Sequence, residues 1–252
     1  MSKITQNRKF MHCPSFFEGM AESDQSKEVA PPPFNKTMNG APIVLPAYEG
    51  TLPHSDYATL LDTRRSLRSY ADKPMTQEEL SFMLWSAQGI QYTRAQSSFR
   101  PTPSGGARHP FETYIWVRAV EGLKAGLYHY TPQVNIGDKK CTITFVDPMH
   151  DCDLTAMLAG QKWAEKAPII LFYTCIPYRA EWRYVEMAHR VMLIDLGHLG
   201  QNVMLSAAAL GMGSCCMAAY NQTLCDEALS VDGINEYTVY AVTVGTAAEV
   251  VK

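Results

Sequence analysis

The stretch Arg100-Pro-Thr-Pro-Ser-Gly-Gly-Ala-Arg-His-Pro110 combines a freed backbone with polar side chains. Its three prolines fix the chain direction, while Gly105 and Gly106 remove Cβ atoms and let N–H groups come close to a ligand. Ser104, Arg108 and His109 stand beside that backbone, and a strand-like run over 111–120 would hold the loop on a rigid edge. The pattern reads as a ligand-facing loop; a surface turn with incidental polarity is the alternative. A second candidate is the basic cluster Arg64, Arg65 and Arg68, with the Ser66 hydroxyl beside it. Guanidinium forks match phosphate oxygens in pairs, so this group could hold a phosphate, or it could be a solvated charged turn. Arg64 and Arg68 would share a face if the segment were helical. A third pattern is the polar stripe Asp195, His198, Asn202 and Ser206, which could face solvent, a cofactor cavity or a second subunit.

Other chemistries find little support. Gly211-Met-Gly213 follows a helix-like run, and Cys216 occupies the third glycine position, so it is no dinucleotide fingerprint. There is no Walker A lysine motif and no HExxH. His189 and His198 are wrongly spaced for two ligands on adjacent helical turns. Cys215-Cys216 sits in an apolar run where buried thiols are expected. His150-Asp-Cys-Asp153 has ligand-type residues, but acids at a helix start explain it.

The elements that must position these groups follow from periodicity and punctuation. Residues 1–54 are broken by Pro31-Pro-Pro33, Pro42, Pro46 and Pro53 and read as a proline-rich arm lying over a domain of 55–252; a disordered tail is the competing reading, against which Phe10, Phe16, Phe17, Ile43, Val44 and Leu45 argue for docking. A short helix is expected over 55–62. Thr76 with Glu79 forms a capping box opening a helix to about residue 89. Strands are expected over 111–120, 126–130 and 141–146, a helix from the acids at 151 and 153 to about 161, and a buried central strand over 169–175. A long helix over 182–210, apolar nearly all round, ends at Gly211. A strand over 214–220, a short helix over 223–229 and a strand over 236–245 complete an α+β sandwich around a mixed sheet.

The bulk numbers describe an ordinary globular protein: 252 residues, 46% hydrophobic, 19% charged, net charge −3. That charge offers no global attraction to nucleic acid or anionic membrane. Seven cysteines form no disulfide framework, and no apolar h-region or spanning run occurs. A soluble protein of the reducing cytoplasm is expected.

Taken in order, the segments resemble the nitroreductase-like flavoprotein superfamily, and most closely its SagB-type dehydrogenase branch, from about residue 56 to 246. The resemblance is carried by Arg64-Arg-Ser-Leu-Arg-Ser-Tyr70, the Pro-Ser-Gly-Gly loop, Gly160-Gln161 before Ala167-Pro168, Asp195-Leu-Gly-His-Leu-Gly-Gln-Asn202, Ala208-Ala-Leu-Gly-Met-Gly-Ser214 and Val244-Gly245. It implies an α+β fold whose mixed, largely antiparallel sheet is flanked by helices, with a long central helix. It also implies FMN at a homodimer interface, and an oxidoreductase transferring hydride at flavin N5. The direction is either dehydrogenation of a small or peptide, azoline-like substrate, or NAD(P)H-driven reduction of a nitro- or quinone-like acceptor; a flavin-binding protein without turnover is the alternative.

By the same resemblance, Arg64, Arg65 and Ser66 contact the phosphate and ribityl chain, and Arg68 lies near the pyrimidine end. Pro103, Ser104, Gly105, Gly106 and Arg108 cover the cofactor from the partner subunit. Gln161 and Lys162 meet the polar edge of the ring, and Cys216, Met217, Ala218 and Ala219 run past N5. Family members usually carry basic residues after the last strand; here Lys252 is available, which leaves more to Arg64 and Arg65. The commonly acidic position beside N5 is Ala218. No catalytic base is assigned, and Tyr184, His189 and Arg190 are the candidates in the right neighbourhood.

Overall fold

The computed structural model describes residues 22–46, 56–133, 141–148 and 152–248. In chain order the elements are β1 (Ile43–Val44), α1 (Tyr57–Thr63), α2 (Gln77–Gln88), β2 (Tyr92–Arg94), β3 (Ser97–Phe99), β4 (Phe111–Val117), β5 (Gly126–Pro132) and β6 (Cys141–Asp147). There follow α3 (Leu154–Met157), β7 (Ile169–Cys175), α4 (Tyr178–Tyr184), α5 (Ala188–Ala209), β8 (Gly213–Met217), α6 (Gln222–Ala228) and β9 (Tyr237–Gly245). Seven strands form one sheet in the order β1-β6-β5-β4-β7-β9-β8, and β2-β3 is a separate hairpin. Every ladder in the large sheet is antiparallel. Among the described residues, parallel pairing is confined to the isolated bridges Ser66–Ser214 and Met75–Val120. The fold is α+β, as expected.

The seven residues of β7 are all buried because both faces of the sheet are covered. Side chains alternate across a strand, so Ile169, Leu171 and Tyr173 pack with Leu80, Met83 and Leu84 of α2 and Val203 and Ala207 of α5. Ile170 and Phe172 face the other way, onto Leu154, Met157 and Cys225. Each fully buried large side chain contributes roughly 1.5–3 kcal/mol. Thr76 and Glu79 form the reciprocal capping box that starts α2, and Gly211 (φ 69°) turns the chain after α5.

Three local expectations are corrected. The helix expected to reach 161 stops at Met157, since Ala159 (φ 51°) and Gly160 (φ 82°) turn the chain left-handed into a 3-10 turn at Lys162–Lys166. The long helix does not begin at 182: Val185, with φ 48° and ψ −126°, separates α4 from the 22-residue α5. The strand expected over 214–220 ends at Met217, which leaves Ala218 and Ala219 exposed. The β2-β3 hairpin was not anticipated. It turns at Ala95 (φ 50°) rather than at a glycine, and Tyr92 stacks on Phe99 with ring centroids 4.5 Å apart.

Within 22–46, β1 pairs with β6, Leu45 is buried, and Lys36 Nζ lies 2.5 Å from Glu236 Oε2. Arg100 donates to the Phe34 carbonyl and Trp182 Nε1 to that of Val29. Phe10, Phe16, Phe17, Pro53 and the division at residue 54 lie outside the described residues, as do His150, Asp151 and Lys252.

Candidate functional site

Two groups of side chains carry the features singled out in the sequence. The first is built along β8. Residues 64–67 are not helical: Arg64 is the C-cap of α1 with ψ 121°, and Leu67 N donates to Ser214 O, so the basic segment runs extended beside the strand. Arg64 and Arg68 therefore do not share a helical face. Arg65 Nη1 donates to the carbonyls of Asp62 and Arg64, and the Arg68 guanidinium lies over the Trp163 ring, 5.9 Å from its centroid. No carboxylate of the described residues pairs with any of the three arginines. Beside Arg65 opens a cavity of about 330 Å³ that reaches Thr59, Leu67, Met212, Gly213 and Thr246.

The 3-10 turn after α3 brings Gln161 to the same surface. Its Nε2 donates to Leu158 O and, at 3.1 Å, to Ala219 O, which ties the turn to the exposed end of β8. Trp163 also packs against Tyr70, whose hydroxyl is 2.6 Å from Thr243 Oγ1. Lys162 is exposed beside this turn. Cys216 is half-buried, and burial pushes its thiol up against a weaker opposing hydrogen bond from Tyr240. Three segments far apart in sequence, 64–68, 161–163 and 216–219, thus meet on one surface. It is cationic at one end and bare backbone at the other.

The second group is the Pro-Ser-Gly-Gly loop, seated on α4 and α5. Asp195 lies on α5 with 6% exposure and accepts from Ser104 Oγ at 2.7 Å and from Gly105 N at 3.1 and 3.2 Å. Asn202, two turns further along, donates to Thr102 Oγ1 and Ser86 O. The polar stripe read from the sequence is therefore mostly the loop's anchor: Asp195, Asn202 and buried Ser206 face inward, and His198 is exposed. Burial raises the Asp195 carboxyl above its ordinary value, and the bonds from Ser104 and Gly105 pull it down by less.

Glycine is demanded here by close approach. A Cβ on Gly105 would stand 2.4 Å from Val191 Cγ1, and one on Gly106 (φ 60°) would stand 2.7 Å from the Tyr184 hydroxyl. Arg108, 8% exposed, stacks over Trp182 at 4.8 Å and donates to Gly106 O and Ser97 Oγ. Hydrogen bonds of the described residues do not join this loop to the surface along β8.

Behind the loop lies a buried ionic network that sequence reading missed. Glu112 Oε1 is 2.5 Å from Arg179 Nη2, and Glu112 Oε2 is 2.8 Å from His129 Nε2. Burial pushes the Glu112 carboxyl up, but Arg179 and His129 outweigh it and hold it down to about 2. His109 Nε2 is 2.9 Å from Ser98 O, and burial together with the Arg100 charge holds the imidazole down to about 2. His109 is therefore neutral and structural. Arg179 is unrecognisable from sequence as an internal cation, because its burial depends on partners contributed by β4 and β5.

The three candidate bases separate. His189 is exposed, with Nε2 2.9 Å from Glu181 Oε1, and Arg190 is half-buried. Tyr184 borders the Gly-Gly turn, its hydroxyl 2.7 Å from where a Gly106 Cβ would stand. No three His, Cys, Asp or Glu side chains of the described residues converge as a metal site requires. No helix among them is long and apolar enough to cross a membrane.

The chain is 28% identical over 153 residues to the trifolitoxin-processing protein TfxB of Rhizobium leguminosarum bv. trifolii, covering 60% of this chain and 40% of that one. A solved structure of a provisionally named nitroreductase from Anabaena variabilis superposes with a TM-score of 0.64 at 25% identity, over 84% of this chain and 43% of that one. The chain thus spans less than half the length of either protein. Another provisionally named nitroreductase, from a Desulfovibrio desulfuricans subspecies and solved in complex with FMN, shares the fold with a TM-score of 0.52 at 18% identity, over 78% of this chain and 88% of that one. A protein of Methanocaldococcus jannaschii, also provisionally named a nitroreductase, is 32% identical over 190 residues, covering 75% of this chain and 90% of that one. The family model described as "Nitroreductase family" matches residues 61–246, and the chain belongs to that family of oxidoreductases.

Proposed function

We propose that the protein is an FMN-dependent oxidoreductase acting as a homodimer. The observation that carries this reading is the convergence of 64–68, 161–163 and 216–219 on one surface. Three guanidiniums without carboxylate partners suit a phosphate dianion and the electron-rich end of a reduced flavin. The donor set therefore fits the cofactor. Arg64, Arg65 and Ser66 hold the phosphate and ribityl chain, and Arg68, kept in place over Trp163, lies toward the pyrimidine. Gln161 and Lys162 donate to the polar edge of the ring. Cys216, Met217, Ala218 and Ala219 offer backbone beside the reactive centre, since Ala218 and Ala219 have no side chain that could donate there. When bound, FMN supplies hydride acceptance and donation at N5.

Pro103, Ser104, Gly105, Gly106 and Arg108 serve as the cover contributed by the partner subunit. Support for a dimer comes from α5, where Leu193 and Ile194 are 57% and 53% exposed and the space beside Gly197 is open. The likeness to TfxB supports a substrate of the peptide-processing kind, dehydrogenated in the manner of a SagB-type enzyme. The family name supports the reverse direction, with NAD(P)H as donor. Anaerobic addition of NADPH to the purified protein separates the two: rapid bleaching of the flavin marks a reductase, and an unbleached flavin marks a dehydrogenase. An Arg64→Ala/Arg68→Ala variant loses FMN while keeping its far-ultraviolet circular dichroism. Undiminished FMN in that variant would reject the phosphate assignment.

A further inference from the structure

Beside the Gly105–Gly106 turn stand two cations that the flavin assignment leaves unused or only partly used. Arg108 and Arg183 come from the loop and from α4, and each lies over a neighbouring aromatic ring. Arg108 covers Trp182 at 4.8 Å, and Arg183 covers Tyr184 at 5.4 Å from the centroid. Stacking of this kind fixes the plane of a guanidinium and leaves its edge free to donate. Arg108 is 8% exposed and spends Nε on Gly106 O and Nη2 on Ser97 Oγ.

Arg183 is half-buried, and its Nε is fully buried without a hydrogen-bond partner among the described residues. A buried charged donor left unpaired is costly, and native proteins seldom tolerate one without a role for it. That Nε lies 2.9 Å from the point where a Gly106 Cβ would be, so it flanks the turn itself. The charge of Arg183 acts on Arg108, whose guanidinium is pushed down first by burial and then by that neighbour. No carboxylate of the described residues forms an ion pair with either arginine. Asp195, which lies under the same loop, is taken up by Ser104 and Gly105.

We propose that Arg108 and Arg183 form an oxyanion subsite beside the Gly105–Gly106 turn, so that the molecule handled over the flavin carries a carboxylate or phosphate group. The placement of that subsite next to the cofactor rests on the reading above; its anion chemistry does not. Planar guanidinium forks bind either group in pairs, and an incoming oxyanion meeting the terminal nitrogens of half-buried Arg183 supplies the negative charge that the arginine pair lacks. Tyr184, in contact with the same turn, would then border the bound substrate.

The test is isothermal titration calorimetry of the FMN-loaded protein with benzoate and, as the neutral counterpart, benzyl alcohol. Benzoate is expected to bind at least about tenfold more tightly, with the preference shrinking as salt shortens the Debye length. Arg183→Met is expected to abolish the preference, leaving benzyl alcohol affinity and FMN content unchanged; Arg183→Lys restores part of it. NADPH and NADH identify the source of the anion. A preference for NADPH that Arg183→Met removes assigns the subsite to the dinucleotide phosphate, and a benzoate preference without it assigns the subsite to a substrate carboxylate. Equal binding of charged and neutral probes, or a preference that survives Arg183→Met, overturns the proposal. Protein that takes up no FMN yet discriminates benzoate keeps the subsite and rejects the flavin. FMN-loaded protein without discrimination does the opposite.

Discussion

Asp195→Ala removes the carboxylate that fastens the Ser104–Gly105 turn to α5. Truncation strands the Gly105 N–H, which costs about 1–3 kcal/mol, and forfeits the 2.7 Å bond from Ser104, worth about 1 kcal/mol. Release of the loop becomes easier by about 2–4 kcal/mol. With about 1.4 kcal/mol per factor of ten, amide exchange at Gly105 and Gly106 accelerates by roughly 30- to 900-fold. Asp195→Asn behaves differently, because its amide oxygen still accepts both bonds and it avoids the burial of a charge. The carboxyl's folded value lies above its ordinary one. The group's contribution to stability is therefore fully present at acidic pH and lost as pH rises through that raised value. Asp195→Asn is accordingly no less stable than the parent at pH 7. Hydrogen exchange read by mass spectrometry, with thermal denaturation in parallel, separates the two variants. Exchange unchanged in Asp195→Ala, or equally accelerated in Asp195→Asn, would refute the anchoring argument.

Gly106→Ala forces a left-handed φ of 60° on a side chain that also meets the Tyr184 hydroxyl. The expected cost is about 1–2 kcal/mol, seen as a fall in Tm of roughly 2–8 °C; an unshifted Tm speaks against the close approach. His109 is held neutral in the folded state while the unfolded chain binds a proton below about pH 6.5, so stability falls as pH drops through that value. Between pH 6.5 and 5 the loss is about 2 kcal/mol by chemical denaturation, and it is flattened in His109→Asn, a residue that tolerates the observed φ of 44°. Glu112→Gln leaves Arg179, 3% exposed, without a counter-charge and costs about 3–5 kcal/mol, part of which Glu112→Gln/Arg179→Met recovers. A loss under about 1 kcal/mol in the single variant would mean that the pair is not buried as described.

What could be read from sequence was what neighbouring residues decide among themselves. The capping box at Thr76 and Glu79 depends on a three-residue spacing, and the central position of β7 follows from its unbroken apolar run. The break at Val185 left no mark, since a β-branched residue with positive φ contradicts local preference and is held there by packing between α4 and α5. The stripe on α5 was visible as a spacing, but its meaning depended on a loop ninety residues earlier that no local rule connects to it. Trp163 and Trp182 passed unnoticed for a similar reason: each matters through an arginine from another segment, Arg68 and Arg108. Gln161 was reached through family likeness alone. The geometry adds its physical tie, a hydrogen bond to Ala219 across fifty-eight residues.

The central claim, that the surface along β8 holds a flavin phosphate and ring, is tested most directly by the visible absorption spectrum of the purified protein together with the FMN released on denaturation. The account predicts a yellow protein carrying one FMN per chain, with the colour lost from the folded Arg64→Ala/Arg68→Ala variant. A folded, colourless protein that takes up no FMN on reconstitution would contradict it.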